Sequence, residues 1–269
     1  MNFKRFAALT KAGIQESLQY RLGTAVTLFS NLIYLALVYF LWKAIYASSG
    51  KDVVRGMTFA DTMIYLILAT ALFNFLEQFI VWDMSRSIQS GKIILDLLKP
   101  MKYRIYTFWS YSGAHVVQFF LTFTPTFIIV CLLTGGAIHI GMNLVFFVLS
   151  TILALVVNFN IEMLVATLCL YTESTWGINI VKETIVLLLS GVSIPLAFFP
   201  EAIRGIVSIL PFRAVYDIPL TILLQKNGSD QMTGLLPLFG MQICWVVVLT
   251  IAGNLFFNHA VRKITVNGG

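Results

Sequence analysis

Residues 198–220 read FFPEAIRGIVSILPFRAVYDIPL. The stretch is mostly apolar, yet it carries three prolines (Pro200, Pro211, Pro219) and four charges (Glu201, Arg204, Arg213, Asp217). It follows a long hydrophobic run, and whether it prolongs that run across a membrane decides the architecture. Proline lacks a backbone donor and breaks a helix interior. Pro195 should kink the preceding helix and Pro200 should end it. Glu201 and Arg204 then open a short amphipathic helix, PEAIRGIVSIL, with proline in its first turn. Pro211 ends that piece, and Phe212 begins another. Arg213 and Asp217, at i and i+4, can pair there before Pro219. One continuous span would have to hide all four charges and tolerate every break. Two short helices folded at the outer leaflet avoid this, because irregular backbone exposed to lipid has no hydrogen-bond partners. The stretch is therefore expected to be a helical hairpin at the outer leaflet, within an extracytoplasmic segment 200–230. A monotopic anchor is the plainer reading of the same residues.

Outward from this point, composition sets the class. The 269 residues are 58% hydrophobic and 11% charged, against about 25% charged in soluble domains. With apolar runs near twenty residues, this predicts an all-α integral membrane protein. No long polar linker, repeat or low-complexity tract divides the chain, so 1–269 is expected to form one transmembrane domain. Six spans are predicted, near 24–47, 58–81, 106–133, 142–170, 181–199 and 235–258. The first contains TAVTLFSNLIYLALVYFLW, nineteen residues or about 28 Å of helix. That exceeds the apolar region of a signal peptide, so it is expected to be retained.

Orientation follows from Lys and Arg, which collect on cytoplasmic flanks. With the N-terminus inside, Lys4, Arg5, Lys11, Arg21, Arg86, Lys92, Lys99, Lys102, Arg104, Lys182, Arg262 and Lys263 are cytoplasmic. Lys43, Lys51, Arg55, Arg204, Arg213 and Lys226 are outside. This twofold bias places both termini in the cytoplasm. It also explains the net charge of +6 without nucleic acid. Residues 1–22 are too polar to span. FKRFAALTKAGIQESLQYR puts Phe3, Phe6, Ala7, Ile14 and Leu18 near one helical face, with Lys4, Lys11 and Gln15 elsewhere. An amphipathic helix in the inner interface is expected, serving either as a lever on a cytoplasmic partner or as a simple positive anchor.

Catalytic signatures are missing. The chain has no GxxxxGK[ST] phosphate loop, HExxH, GxSxG or paired carboxylates. His115, His139 and His259 fall in separate segments. Cys131, Cys169 and Cys244 lie in three different apolar runs and read as inert core thiols, so no metal site or catalysis by this chain alone is expected. The conspicuous residues are polar ones inside spans. Asn74, Glu77 and Gln78 share one face of a continuous helix, and Asn158 and Glu162 share another. Such residues face protein or water. They form either a substrate-facing or proton-carrying site, or interhelical hydrogen bonds that hold the bundle or a dimer together.

The loop 83–105 carries Arg86, Lys92, Lys99, Lys102 and Arg104 against Asp83 and Asp96. Ser90 and Gly91 lead into KIILDLLKP, a short amphipathic segment stopped by Pro100. It is either a basic flank on anionic lipid or a helix that docks on a cytosolic motor.

Three stretches together, SGKIILDLLKPMKYRIY, YTESTWGI and GVSIPLAFFPEAIRGIVSILPFRAVYDIPL, resemble the permease subunits of type-2 ABC exporters, in particular the bacterial "ABC-2 family transporter protein" group. The resemblance covers nearly the whole chain, and its last motif is the most specific. It implies a permease in the bacterial plasma membrane, paired with an identical or paralogous permease and served by two ATPase subunits. ATP and Mg would sit on those subunits. It also implies that Arg86, Ser90, Gly91, Lys92, Asp96, Lys99 and Pro100 couple to the ATPase. Pro200, Glu201, Arg204, Pro211, Phe212, Arg213 and Asp217 would form an outer gate. Glu77 and Glu162 lie outside the family motif. An amphipathic or hydrophobic substrate is expected. A proton-coupled secondary transporter using Glu77 and Glu162, and a membrane scaffold or immunity protein, are the alternatives.

Overall fold

The computed structural model describes residues 3–19, 21–135, 138, 141–172, 175–225 and 232–262. Its helices run α1 (Phe3–Gln19), α2 (Arg21–Ser49), α3 (Phe59–Leu76), α4 (Ile80–Gln89), α5 (Lys92–Leu97), α6 (Tyr103–Gln118) and α7 (Thr124–Leu133). They continue as α8 (Met142–Leu168), α9 (Thr175–Leu189), α10 (Glu201–Ile209), α11 (Pro211–Val215), α12 (Asp217–Leu223) and α13 (Met232–Val261). A two-stranded hairpin, β1 (Val53–Val54) with β2 (Met57–Thr58), joins α2 to α3. Its turn holds Arg55 at φ 53° and Gly56 at φ 81°, the left-handed pair that matches strand twist. Thr58 then starts α3 by a capping box. Its hydroxyl accepts from the Asp61 N–H at 3.1 Å, and the Asp61 carboxylate accepts from the Thr58 N–H at 3.2 Å.

Among the described residues, five stretches are long and apolar enough to cross a membrane: Ala25–Ser49, Phe59–Gln89, Tyr103–Leu133, Met142–Leu168 and Thr233–Val261. These correspond to five of the six expected spans. The expected fifth, 181–199, is not one helix. α9 starts earlier and stops at Leu189, six residues before Pro195. Gly191 follows at φ +90°, and a side chain there would strike Tyr65 Oη and Leu196 Cδ1 at 2.7 Å. The chain therefore turns at a glycine packed under α3, ahead of Pro195. The second span is also interrupted: α3 ends at Leu76, and Glu77 adopts ψ 135° before α4 begins. In the third, a wide turn over Phe119–Phe123 joins α6 to α7 just ahead of Pro125. There the Thr124 N–H bonds back five residues to the Phe119 carbonyl.

The hairpin is built differently from a surface element. α10 is peripheral, with Ile203, Ile206 and Ile209 exposed. By contrast α12 is buried along its whole length, and Ala214, Val215 and Tyr216 before it are 0–2% exposed. α11 and α12 pack on α8, α13 and α3 as part of the main core. Pro219 lies in the first turn of α12, where a missing N–H has no intrahelical partner to lose. The Arg213–Asp217 pair is present at 3.0 Å. Residues 226–230 of the expected hairpin lie outside the described residues.

α1 lies against α6. Its buried side is Phe6, Leu9, Thr10, Gly13, Ile14 and Ser17, while Ala7 and Leu18 face outward, so the face read from the sequence is rotated. The Phe6 ring stacks on Trp109 at 4.9 Å, and Thr10 shares a 2.8 Å hydrogen bond with Ser112. Gly13 and Gly113 let the backbones touch: a side chain at Gly113 would meet the Ile14 nitrogen at 2.5 Å. Two apolar cores result. The larger gathers residues such as Leu68, Leu72, Phe147, Ala154 and Leu220. The smaller gathers Ile80, Val81, Met84, Phe159, Met163 and Phe257.

Candidate functional site

Between the two cores lies a polar tier, built where α3 breaks. Ending a helix leaves carbonyls without donors. Here they are capped from two other spans. The Asn158 amide donates to the Leu76 carbonyl at 2.8 Å, and His115 Nδ1 donates to the Phe75 carbonyl at 2.9 Å. A carbonyl only accepts, so the His115 proton sits on Nδ1. His115 gave no signal in the sequence, because its partner lies forty residues away.

The break scatters the face expected from Asn74, Glu77 and Gln78. Asn74 bonds back to the Thr70 carbonyl at 2.7 Å. Gln78 is 4% exposed, with both amide atoms unpartnered among the described residues. Glu77 is exposed. The structure instead joins Glu162 to Lys182: Nζ lies 2.5 Å from Oε1, and the side chains are 8% and 6% exposed. Lys182, expected as a cytoplasmic flank charge, is thus paired inside the protein. One turn away on α9, the Asn179 amide donates to the Glu183 carboxylate at 2.5 Å. Ser85 on α4 donates to Thr175 at the start of α9, at 3.0 Å.

The loop toward α6 is braced rather than loose. Residues 83–89, expected in a loop, belong to α4. Asp83 accepts from both Arg86 and Tyr111, which ties α4 to α6. Ser90 closes α4, Gly91 turns at φ 70°, and Lys92 opens α5. Asp96 is only 7% exposed, and Lys99 reaches it at 2.7 Å while lying 3.7 Å from the centre of the Tyr106 ring. Burial pulls the Lys99 ammonium down, but Asp96 and Tyr106 outweigh it and hold its pKa above the ordinary value. Asp96 thus turns inward, and the half-exposed Lys99 clasps it from the surface side. Ile94, Leu95 and Leu98 take the exposed side instead. Pro100 is exposed behind them.

At the opposite end, Arg204 donates to the carbonyls of Ala197 and Phe199 at 2.7 and 2.9 Å, holding the turn before Pro200. Glu201 is exposed at the start of α10. Tyr65 donates to Asp217 at 3.1 Å, and Arg213 also reaches the Ser208 carbonyl at 3.3 Å. Phe212 is half-buried against the main core. Gln242 on α13 donates to the carbonyls of Ser150 and Ala214 at 3.1 and 2.8 Å, pinning α11 between α8 and α13.

Arg104, expected in the loop, lies in the first turn of α6. It is 8% exposed, and its Nη2 donates to Asn160 on α8 at 2.5 Å. Asn160 in turn donates to Thr250 on α13 at 3.1 Å. Among the thiols, Cys169 is buried and Cys131 half-buried, but Cys244 faces outward and is no core residue. No cluster of His, Cys, Asp or Glu among the described residues could hold a metal.

Long apolar helices around a buried polar tier define an all-α, multi-pass membrane protein. The chain belongs to the ABC-2 transporter family: the family model described as "ABC-2 family transporter protein" matches residues 32–268. Comparison with curated proteins finds no match. Family membership makes the chain a membrane component of an ABC transporter and implies association with ATPase subunits.

Proposed function

We propose that this chain is the permease of an ATP-driven exporter in the bacterial plasma membrane, crossing six times with both termini in the cytoplasm. Two copies, or this chain and a paralogue, would line the path for an amphipathic or hydrophobic substrate. Two ATPase subunits, holding ATP and Mg, would dock on the α4–α5–α6 corner. ATP can drive transport only by favouring one arrangement of the spans over another.

The observation that carries this reading is the inversion of α5. A short helix in a basic loop buries its carboxylate and presents Leu95 at 67% and Leu98 at 75% exposure. Apolar side chains displayed together from a braced element fit a groove on another protein. Movement of α5 would pass through the Asp83–Tyr111 and Lys99–Tyr106 contacts into α6, and from α6 into α1. In this reading Ser90 and Gly91 shape the approach, and Arg86, Lys92 and Pro100 surround the contact. α10 to α12 would gate the outer end.

Replacing Leu95 and Leu98 with Glu removes the apolar knobs without touching the clasp. The chain should melt normally, lose at least about tenfold in affinity for its ATPase, and lose export. Copurification of a phosphate-loop ATPase with wild type, at equal yield with the double variant, would remove α5 as the docking element. If wild type captures no such ATPase and still transports, the exporter reading fails.

A further inference from the structure

Arg104 is a buried cation with an unfilled bond. Its Nη1 is buried and has no partner among the described residues. The residue as a whole stands in the wall of a cavity of about 800 Å³ between α6, α8 and α13. Lys102 and Arg262 stand at the same mouth, both exposed, and Asn160, Asn254 and Asn258 complete the polar end. Among the described residues, three cations and no carboxylate line this cavity. Burying a charge without a counter-charge is strongly unfavourable. Room is nonetheless made for it: a side chain at Gly253 would come within 2.9 Å of Arg104 Nη2 and 3.0 Å of Cζ. The missing component is an anion.

The rest of the cavity says which kind. Away from Arg104 the lining turns apolar, through Ile105, Phe108, Trp109 and Val156. Phe108 and Trp109 also line a second cavity of about 360 Å³, which continues past Phe119, Phe120, Val148 and Ile152. From Arg104 to Phe119 the chain advances fifteen residues, or about 22 Å along the helix. A free phosphate would need the polar end alone. We propose that the cavity is a binding site for an anionic phospholipid of the leaflet at the α5 end. Its phosphate bonds Arg104 between Lys102 and Arg262, and one acyl chain lies along α6 and α8. Basic pockets between spans recognise lipid headgroups in this way. The site requires only that the chain is in a bilayer, not that it transports.

The test uses the full chain in neutral detergent. Phosphatidylglycerol, phosphatidylcholine with the same acyl chains, and inorganic phosphate are titrated separately. Thermal-unfolding midpoint and lipid retained in native mass spectrometry are read. Phosphatidylglycerol should raise the midpoint and be retained, with phosphatidylcholine about tenfold weaker. Arg104→Gln should weaken phosphatidylglycerol about tenfold, the usual loss for a charge-assisted bond, and phosphatidylcholine by less, because repulsion of its choline by Lys102 and Arg262 already weakens the bond of the phosphate they share. Should that variant fold poorly, Lys102→Gln with Arg262→Gln changes only exposed side chains. That pair should weaken phosphatidylglycerol at least about fivefold. Equal binding of the two lipids overturns the site, as does wild-type phosphatidylglycerol affinity in either variant. Stabilisation by inorganic phosphate equal to that by phosphatidylglycerol would mark a soluble-anion site and overturn the lipid.

Discussion

Glu162 and Lys182 form the most deeply buried ion pair among the described residues, and their chemistry separates two uses of the polar tier. A proton carrier must take up and release its proton against changing surroundings. Glu162 instead faces a cation 2.5 Å away on α9, which favours a bond that holds α8 to α9. Removing one partner of such a pair leaves the other charged and buried, a loss of about 3–5 kcal/mol, whereas replacing both with apolar residues is often neutral. Glu162→Gln should therefore lower the melting midpoint sharply, and so should Lys182→Met. Glu162→Leu with Lys182→Leu should melt close to wild type and keep transport. A double variant that melts normally but has lost all transport would return the carboxylate to a role in proton or substrate movement.

Contact between whole helices is tightest where α1 meets α6. A methyl group at Gly113 would fall 2.5 Å from the Ile14 nitrogen and 2.8 Å from the Gly13 carbonyl carbon, and backbone cannot retreat as a side chain can. Gly113→Ala should cost about 1–3 kcal/mol by overpacking and free α1 for proteolysis after Lys4 or Lys11. Unchanged melting and protease resistance would mean that α1 does not dock on α6 in the membrane. Length and hydropathy are local properties, so five long helices and their approximate ends could be read directly. The break after Leu76 carries no proline or glycine; it exists because His115 and Asn158, from two other spans, satisfy the freed carbonyls. α12 looks amphipathic through Asp217, yet Tyr65 and Arg213 supply partners that allow its burial. Asp96 turns inward because Lys99, itself held over the Tyr106 ring of α6, pairs with it. In each case the deciding partner is distant in sequence or set by the path of a neighbouring helix. Candidate charges could be named, but the side each would face could not.

The bundle as a whole turns on whether the segment from α9 to α10 crosses the membrane. α9 has fifteen residues, about 22 Å of helix, short of a hydrocarbon core about 30 Å thick. If it fails to cross, five crossings remain and the chain ends on opposite sides. The tethers of the segment argue otherwise. Its start is bonded through Thr175 to Ser85, near the α5 end of the second span. Further on, Phe198 packs on Trp42 at 4.5 Å and lies 6.5 Å from the Tyr46 ring, at the far end of α2, beside the β-hairpin. The chain thus travels from one end of the bundle to the other, first as α9 and then as Ser190–Phe199. The turns of that second part are sheltered: Ser190 and Gly191 are buried, and Arg204 satisfies the Ala197 and Phe199 carbonyls, as non-helical backbone at membrane depth requires. We therefore expect six crossings. In a variant lacking Cys131, Cys169 and Cys244, single cysteines at the exposed positions Ser49, Ser90, Glu201 and Arg262 report the sides. In sealed cells an impermeant thiol reagent should label Ser49→Cys and Glu201→Cys. It should reach Ser90→Cys and Arg262→Cys only after the membrane is opened. Labelling of Arg262→Cys from outside, with Glu201→Cys protected, would leave α9 on one side and make the protein a five-span bundle.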